Sequence, residues 1–254
     1  MKANQSFELF AKYYDLIYRD KDYEREVTFI EEIFKTFHKP KKILEIGCGT
    51  GNYTQILHRK GYEITGLDIS ENMLKTAKKK CACDFLFGDI RDVSINEKFD
   101  ACIAMFSVMG YITENSDIVK ALSNIHRHLD PNGLFVFDVW NGLAVLRILP
   151  ELRVKEVEND EIKILRIAYP DLKVFNHICE VNYKLYILDK INHTFDEFDE
   201  THVVRFYFPQ EIKLLLEKGG FEVLKMCPFL DPSGSVDETV WNIAVIAKAV
   251  GAKS

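Results

Sequence analysis

The sequence predicts an α/β fold: a mostly parallel sheet with helices on both faces, interrupted late in the chain by an antiparallel β insert. From residue 42 to residue 139, short apolar runs alternate with segments of helical period, and short apolar strands are usually covered on both faces. Residues 151–206 lose helical period and alternate apolar with polar side chains, which is typical of antiparallel strands. The 254 residues are enough to bury one large core.

Two amphipathic helices are predicted before the sheet, at residues 6–20 and 24–38. The second ends before Pro40, which disfavours helix in the preceding residue. Its apolar stripe consists of Val27, Ile30, Ile33, Phe34 and Phe37. We expect residues 1–38 to form a helical lid over the rest of the domain.

Five parallel strands joined by helices should follow. The predicted strands are 42–46, 62–67, 84–87, 101–106 and 134–139, and the predicted helices between them are 52–60, 71–80 and 117–128. Ser70 is a good N-cap for the second of these helices. The sequence Pro131-Asn132-Gly133 predicts a turn before the fifth strand.

The insert at residues 151–206 divides the predicted domain into residues 1–150 and 207–254. Turns are predicted at 158–160 and 189–193, and the clearest strand places on one face Cys179, Val181, Tyr183, Leu185 and Ile187. A helix at 209–218 and strands at 221–229 and 240–249 then complete a sheet of seven strands. Insertions at the carboxyl ends of strands often select ligands, so we expect the insert to form an acceptor wall, a homodimer surface or both.

Composition excludes several classes of protein. The 33 basic and 39 acidic side chains give a net charge of −6, which argues against nucleic acid or an anionic membrane as the main partner. The run Lys78-Lys79-Lys80 is expected on a solvated face, complementing a helix dipole. The six cysteines form no CxxC pair, so neither a metal site nor a disulfide framework is predicted. No apolar run reaches membrane length and the N-terminus lacks a signal-peptide pattern, so we expect a cytoplasmic protein.

A glycine-rich loop follows the first predicted strand and precedes a helix. It reads Glu45-Ile46-Gly47-Cys48-Gly49-Thr50-Gly51, and glycines let the backbone take positive φ and approach a ligand closely. The second strand leads to Asp68, where an acid can accept the two hydroxyls of a ribose, and the third leads to Asp89 and Ile90, which could hold an adenine. The spacing ExGxGxG differs from the GxGxxG of dinucleotide sites, so a zwitterionic amino acid is favoured over a pyrophosphate and a nicotinamide-dependent enzyme is disfavoured.

The loop, the two acids in register and the final strand pair together resemble the class I S-adenosylmethionine-dependent methyltransferases over nearly the whole chain. The resemblance implies a Rossmann-like seven-stranded sheet, S-adenosyl-L-methionine as cofactor and S-adenosyl-L-homocysteine as product. It also implies a set of cofactor-binding residues: Gly47, Cys48, Gly49 and Gly51 at the methionine part, Asp68 at the ribose, Ile69, Met73, Asp89 and Ile90 around the adenine, Met105 and Phe106 under the cofactor near the sulfonium, and Tyr14 closing over the cofactor. Glu45, at the start of the loop motif, belongs to the same set.

Within this superfamily the chain looks most like the N-methyltransferases of nucleotide-linked amino sugars, which form dimethylamino sugars. The features that carry this resemblance are residues 21–26 (KDYERE), Met105-Phe106-Ser107 with Gly110, Trp140, and Glu200-Thr201-His202. Tyr111 departs from the pattern, because those enzymes carry a histidine at this position. The resemblance implies a small-molecule acceptor whose amine is methylated.

Methyl transfer from a sulfonium requires a neutral nucleophile held in line and protected from water. Tyr14 and Tyr111 are the candidates for orienting the acceptor, and Asp138 and His202 are the candidates for taking its proton or binding sugar hydroxyls. Asp138 could instead cap a loop, and Tyr111 and His202 could serve packing alone.

Two other functions remain open on the sequence. One is methylation of a nitrogen or oxygen on a non-sugar small molecule, and the other is cofactor binding without turnover. A nucleotide-linked acceptor needs basic groups for its pyrophosphate, and the candidates are Arg25, Arg147, Arg153 and Arg205.

Overall fold

The computed structural model describes residues 10–251. Its helices are α1 (Phe10–Ile17), α2 (Tyr23–Phe37), α3 (Asn52–Arg59), α4 (Glu71–Lys80), α5 (Asn115–His128), α6 (Gly142–Ile148) and α7 (Pro209–Lys218). Its strands are β1 (Lys42–Ile46), β2 (Glu63–Asp68), β3 (Asp84–Phe87), β4 (Phe99–Ala104), β5 (Leu129–Trp140), β6 (Arg153–Glu158), β7 (Ile162–Lys173), β8 (Ile178–Asp189), β9 (Thr194–Arg205), β10 (Phe221–Pro228) and β11 (Asn242–Ala249).

The main sheet has seven strands in the order β10-β11-β5-β4-β1-β2-β3. Strands β1 to β5 pair in parallel, while β11 runs antiparallel to both β5 and β10. The order reverses between β1 and β4, and ligands in such sheets bind at the carboxyl ends of the strands beside that reversal. The structure therefore confirms the predicted α/β fold and locates the expected crevice.

Two apolar layers bury the strands from both sides. Neighbouring residues of β1 point to opposite layers: Ile43 joins Phe34 of α2 and Leu57 of α3, whereas Leu44 joins Leu122 of α5. All five side chains are at most 2% exposed, so the helices cover the sheet completely at its centre. This double burial explains the short, continuously apolar strands in the sequence.

Strands β6 to β9 form a separate four-stranded antiparallel sheet. Along β8 the residues Cys179, Val181, Leu185 and Ile187 are buried, as the alternation predicts. Helix α1 packs on this sheet through Ile17, which contacts the apolar cluster of the insert. The insert and the N-terminal helix thus form one wall above the main sheet.

Three local predictions need correction. The predicted turn at residues 131–133 lies inside β5, where the pairing with β4 jumps from Phe99↔Leu129 to Ala101↔Leu134 and Asn132 takes φ +66°, so it is a bulge. Helix α6 was not predicted, because it is short and apolar. The predicted helix at 6–20 spans Phe10–Ile17 within the described part, while residues 1–9 of the predicted lid lie outside it.

No helix among residues 10–251 has the length and apolar character needed to cross a membrane.

Candidate active site

A cavity opens at the carboxyl ends of β1, β2 and β4, between the main sheet, α1 and the insert. Most of the predicted site residues line it: Tyr14, Gly47, Cys48, Gly49, Asp68, Ile69, Met73, Met105, Phe106, Tyr111 and His202. The wall also contains residues that the sequence analysis did not assign to the site, among them Tyr18, Thr50, Asn52 and Tyr53. The remaining predicted residues, Glu45, Gly51, Asp89, Ile90 and Asp138, lie outside this wall.

The glycine loop takes the backbone conformation that its composition predicts. Gly47, Gly49 and Gly51 have φ of +66°, +53° and +75°. A Cβ on Gly47 would lie 2.7 Å from the Val108 side chain, whereas a Cβ on Gly49 would meet nothing within 4 Å. Gly49 therefore presents bare backbone to open space, which fits close approach of a ligand. Gly51, the N-cap residue of α3, packs instead against Ala77 of α4.

Asp68 is the last residue of β2, and backbone N–H groups donate to both of its carboxylate oxygens. The Gly49 N–H donates to Oδ2 at 2.7 Å and the Ser70 N–H donates to Oδ1 at 2.8 Å. Burial raises the pKa of Asp68, and these backbone bonds act in the opposite direction. Each oxygen keeps further accepting capacity. The two accepting oxygens of Asp68 fit the two adjacent hydroxyls of a ribose.

The two other predicted carboxylates are engaged elsewhere. Asp89 accepts from Arg91 Nε at 2.9 Å. Burial acts to raise the pKa of Asp89, but the bonds to Arg91 outweigh burial, so the pKa is lowered. Glu45 is buried behind the loop and accepts from Thr54 Oγ1. Burial raises the pKa of Glu45 to about 8. Glu45 therefore ties β1 to α3 and does not line the cavity.

Asp138 holds the turn that follows β4. Its Oδ1 accepts from the Phe106 N–H at 2.6 Å, and its Oδ2 accepts from the Ser107 N–H at 3.0 Å and from Ser107 Oγ at 3.1 Å. Phe106 and Ser107 both have positive φ, +68° and +59°, a conformation that costs energy without glycine. Asp138 is 1% exposed, and burial raises its pKa to about 6. Its position favours the alternative role for Asp138: this carboxylate caps the loop and fixes Phe106 in the cavity wall.

Tyr111 and His202 meet at the side of the cavity. Tyr111 Oη lies 2.8 Å from His202 Nδ1, and His202 Nε2 lies 2.7 Å from Glu200 Oε1. Tyr111 ends a 3₁₀ helix after β4, while Glu200 and His202 lie on one face of β9. His202 and Glu200 are buried, whereas Tyr111 is 40% exposed. Burial of the Tyr111 hydroxyl raises its pKa well above the usual range.

Glu200 is a further residue of this group that was not predicted as a site residue from the sequence. Its two-residue spacing from His202 in a predicted strand was the available signal, because residues i and i+2 share a face.

Helix α1 is tied to the glycine loop by a polar cluster. Asp15 Oδ1 accepts from Thr50 Oγ1 at 2.7 Å, from Asn52 Nδ2 at 3.2 Å and from Lys80 Nζ at 2.8 Å. Lys80 is therefore not part of a solvated run: its side chain is 19% exposed, and only Lys78 and Lys79 face solvent. The cluster sets the position of α1, and with it Tyr14, over the cavity.

The charged segment at residues 21–26 supports the opposite side of the cavity. Lys21 pairs with the buried carboxylate of Glu26, which also accepts from Tyr53 Oη. Lys21 Nζ lies 4.5 Å from the centroid of the Phe106 ring, a cation–π distance. Asp22 caps α2 by accepting from the Arg25 N–H at 3.0 Å. This segment thus fixes both Phe106 and Tyr53.

Comparisons with known proteins agree with this site. Residues 43–133, which hold the glycine loop and Asp68, match the family described as methyltransferase domain. The candidate methyltransferase YqeM of Bacillus subtilis strain 168 is 26% identical over 84% of this chain and 85% of its own. The dTDP-3-amino-3,4,6-trideoxy-alpha-D-glucopyranose N,N-dimethyltransferase of Streptomyces venezuelae is 33% identical over 51% of this chain and 56% of its own.

Solved structures show the same fold over almost the whole chain. An S-adenosylmethionine-dependent methyltransferase from Clostridium acetobutylicum ATCC 824 has a TM-score of 0.82 at 24% identity and covers 96% of this chain and 99% of its own. DesVI of Streptomyces venezuelae has a TM-score of 0.79 at 21% identity, with coverage of 95% and 98%. These structures show the fold. The domain match, the relatives named as methyltransferases and the open Gly49 backbone beside Asp68 identify the chain as an S-adenosylmethionine-dependent methyltransferase.

Proposed function

We propose that this methyltransferase acts on the amine of a small molecule, a nucleotide-linked amino sugar. The observation that carries the proposal is the Tyr111 hydroxyl bonded to His202 in the same cavity wall as Met105 and Phe106. A polar pair there can orient an amine and receive its proton. The Streptomyces venezuelae relative is a dTDP-amino sugar N,N-dimethyltransferase, which supports this class of acceptor.

The proposal assigns the cofactor to the residues that line the cavity. Backbone of Gly47, Cys48 and Gly49 would hold the methionine part, and Asp68 would accept from the ribose hydroxyls. The residues proposed around the adenine are Ile69 and Met73, with Asp89 and Ile90 following β3 as a further predicted edge; Met105, Phe106 and Tyr14 are proposed near the sulfonium. When bound, S-adenosylmethionine supplies an electrophilic methyl group on sulfur.

The chain itself has to position the acceptor and keep water out. The wall near Phe106 is aromatic, because the Tyr14 and Tyr18 rings lie 4.8 Å apart and Tyr18 meets Phe106 edge-on at 5.2 Å. Such a wall excludes water and offers flat apolar surface to a sugar ring. Tyr111 would orient the acceptor nitrogen, so positioning comes before proton transfer.

The positive charge that a nucleotide-linked acceptor needs would come from an arginine other than the four proposed from the sequence. Arg205 donates to the Thr113 carbonyl oxygen at 2.8 Å and pairs with Glu211, and Arg25, Arg147 and Arg153 do not line the cavity. Arg166 of β7 donates to Tyr18 Oη at 3.1 Å, so its charge lies directly behind the wall. This charge favours an acceptor that carries negative charge.

The test is release of S-adenosylhomocysteine with a matched set of acceptors. The set contains dTDP-3-amino-3,4,6-trideoxy-α-D-glucopyranose, the same sugar nucleotide with a hydroxyl in place of the amine, and free amino acids. We expect release only with the amino sugar, with a product heavier by one or two CH₂ groups. Release only with the hydroxyl sugar or an amino acid would replace the proposed acceptor. Cofactor binding without release on any acceptor would favour a non-catalytic binding module.

A further inference from the structure

We propose that Glu200 is a positioning residue: it fixes the tautomer of His202 and thereby turns the Tyr111 oxygen into an acceptor that faces the substrate. The inference rests on the proposed function, because it takes an amine as the group that meets Tyr111. It adds a residue that touches neither cofactor nor acceptor and acts through two others.

The geometry is set by a strand rather than by a loop. Glu200 and His202 lie two residues apart on β9, opposite Tyr183 and Val181 of β8. The His202 ring meets Tyr183 edge-on at 4.9 Å and Tyr111 at 5.8 Å. Both Glu200 and His202 are buried, so the ring has little freedom to rotate. A site on a paired strand holds its side chains more rigidly than one on a loop.

The hydrogen bond to Glu200 determines which ring nitrogen carries the proton. A carboxylate can only accept, so His202 Nε2, at 2.7 Å, carries hydrogen. Nδ1 of the neutral imidazole is then bare, and the Tyr111 hydroxyl at 2.8 Å donates to it. The Tyr111 proton points toward His202, so in this pair the oxygen is left as an acceptor, and Tyr111 lines the cavity. The cavity therefore presents an acceptor to an N–H of the substrate.

The proton path follows from this arrangement. The acceptor nitrogen uses its lone pair to form the N–C bond, the C–S bond breaks with its electron pair remaining on sulfur, and the nitrogen becomes positively charged with its N–H intact. Tyr111 Oη takes that proton while its own proton passes to His202 Nδ1. The net result is one proton moved from nitrogen to the imidazole, whose new positive charge lies beside the Glu200 carboxylate.

The other groups that face this relay keep their charge in the neutral pH range. Burial raises the pKa of Tyr18 on α1 and of Tyr183 on β8, so both stay protonated. Arg166 on β7 lies over the Tyr183 ring at 5.0 Å and stays positive. Burial raises the pKa of Glu200, and the His202 bond acts against that rise. A pH profile thus reports on Glu200, whose pKa is raised.

The first test needs no acceptor. In full-length protein labelled with [¹⁵N]histidine and saturated with S-adenosylhomocysteine, long-range ¹H–¹⁵N NMR reads the protonation of both His202 nitrogens, assigned by the signal lost in His202→Gln. We expect Nε2 protonated and Nδ1 bare, and a mixture of tautomers in Glu200→Gln. A proton on Nδ1 in the wild type, or the same tautomer in Glu200→Gln, would overturn the proposal.

The second test measures turnover, with whichever acceptor of the matched set releases S-adenosylhomocysteine. We expect Glu200→Gln to lower kcat about tenfold or more, to leave the KM for S-adenosylmethionine unchanged, and to move the acid limb of the kcat–pH profile to lower pH. The limb moves because the variant has no carboxylate at position 200 to take up a proton, and burial raises the pKa of that carboxylate in the wild type. Glu197→Gln on the same strand, an exposed residue paired with Lys184, is the matched control and should change nothing.

Two results would contradict the role of Glu200: a kcat within twofold of the wild type, or a lowered kcat with an unmoved acid limb, which marks a structural role only. If the amino sugar is not methylated, the proposed function fails, yet the NMR result still decides the tautomer. The two failures are therefore distinguishable.

Discussion

Replacing Asp68 with alanine should weaken binding of S-adenosylhomocysteine about a hundredfold. The substitution removes the carboxylate proposed to accept from both ribose hydroxyls, and a hydrogen bond to a charged group contributes about 1.5–3 kcal/mol. Taking the lower value for each of the two bonds gives about 3 kcal/mol, which is about two orders of magnitude in Kd. The substitution also frees the Gly49 and Ser70 N–H groups, at 2.7 and 2.8 Å from the carboxylate, so the loop loses its anchor.

Isothermal titration calorimetry with S-adenosylhomocysteine measures this effect. Asp68→Asn keeps the shape and one accepting oxygen, so its Kd should fall between those of the wild type and Asp68→Ala. Glu63→Ala, at the exposed start of the same strand where Glu63 pairs with Lys41, is the matched control and should bind as the wild type does. A Kd for Asp68→Ala within threefold of the wild type, in a variant with an unchanged thermal midpoint, would refute the ribose assignment.

Three further substitutions test the supports of the site. Burial raises the pKa of Glu45 from 4.5 to about 8, so the folded state keeps a proton that the unfolded state releases in this range. The free energy of unfolding should therefore fall with rising pH, by up to about 1.4 kcal/mol per pH unit. Urea titrations at several pH values should show a smaller fall for Glu45→Gln. The same pH dependence in the wild type and the variant would contradict the raised pKa of Glu45. Asp138→Asn should lower the thermal midpoint and weaken cofactor binding, at a cost of about 1–3 kcal/mol for the N–H groups it strands; an unchanged midpoint would be inconsistent with its loop-capping role. Lys80→Met should speed proteolysis within α1, because Asp15 loses its bond to Lys80. Lys79→Met should leave the rate of proteolysis unchanged. Equal rates in the two variants would contradict the role of Lys80 in holding α1.

The fold was predictable where local pattern and global packing agree. The apolar run at residues 42–46, the glycines after it and Asp68 at the end of the next strand lie close together in the sequence, and each has a local physical signature. The strand predicted at 101–106 ends early, at Ala104, because Phe106 and Ser107 take positive φ. No property of these two residues favours that conformation. It exists because Asp138, distant in sequence, accepts their N–H groups.

The residues that line the cavity were largely predictable from the sequence, whereas the contacts that hold them in place were not. The glycines, Asp68, Tyr111 and His202 stood out by residue type and spacing, and all of them except Gly51 line the cavity. The bonds of Asp15 to Lys80 connect segments 65 residues apart, and such pairings leave no periodic signal in one sequence. The pairing of Asp89 with Arg91, two residues away, was visible in the sequence but was not predicted.

The most direct measurement is a crystal structure of the protein with bound S-adenosylhomocysteine. The account predicts the ribose hydroxyls within hydrogen-bond distance of the Asp68 carboxylate, the homocysteine part against the backbone of Gly47 and Gly49, and the sulfur on the side of the cavity that holds Phe106 and Tyr111. A ligand bound in another cavity, or a ribose out of reach of Asp68, would contradict it.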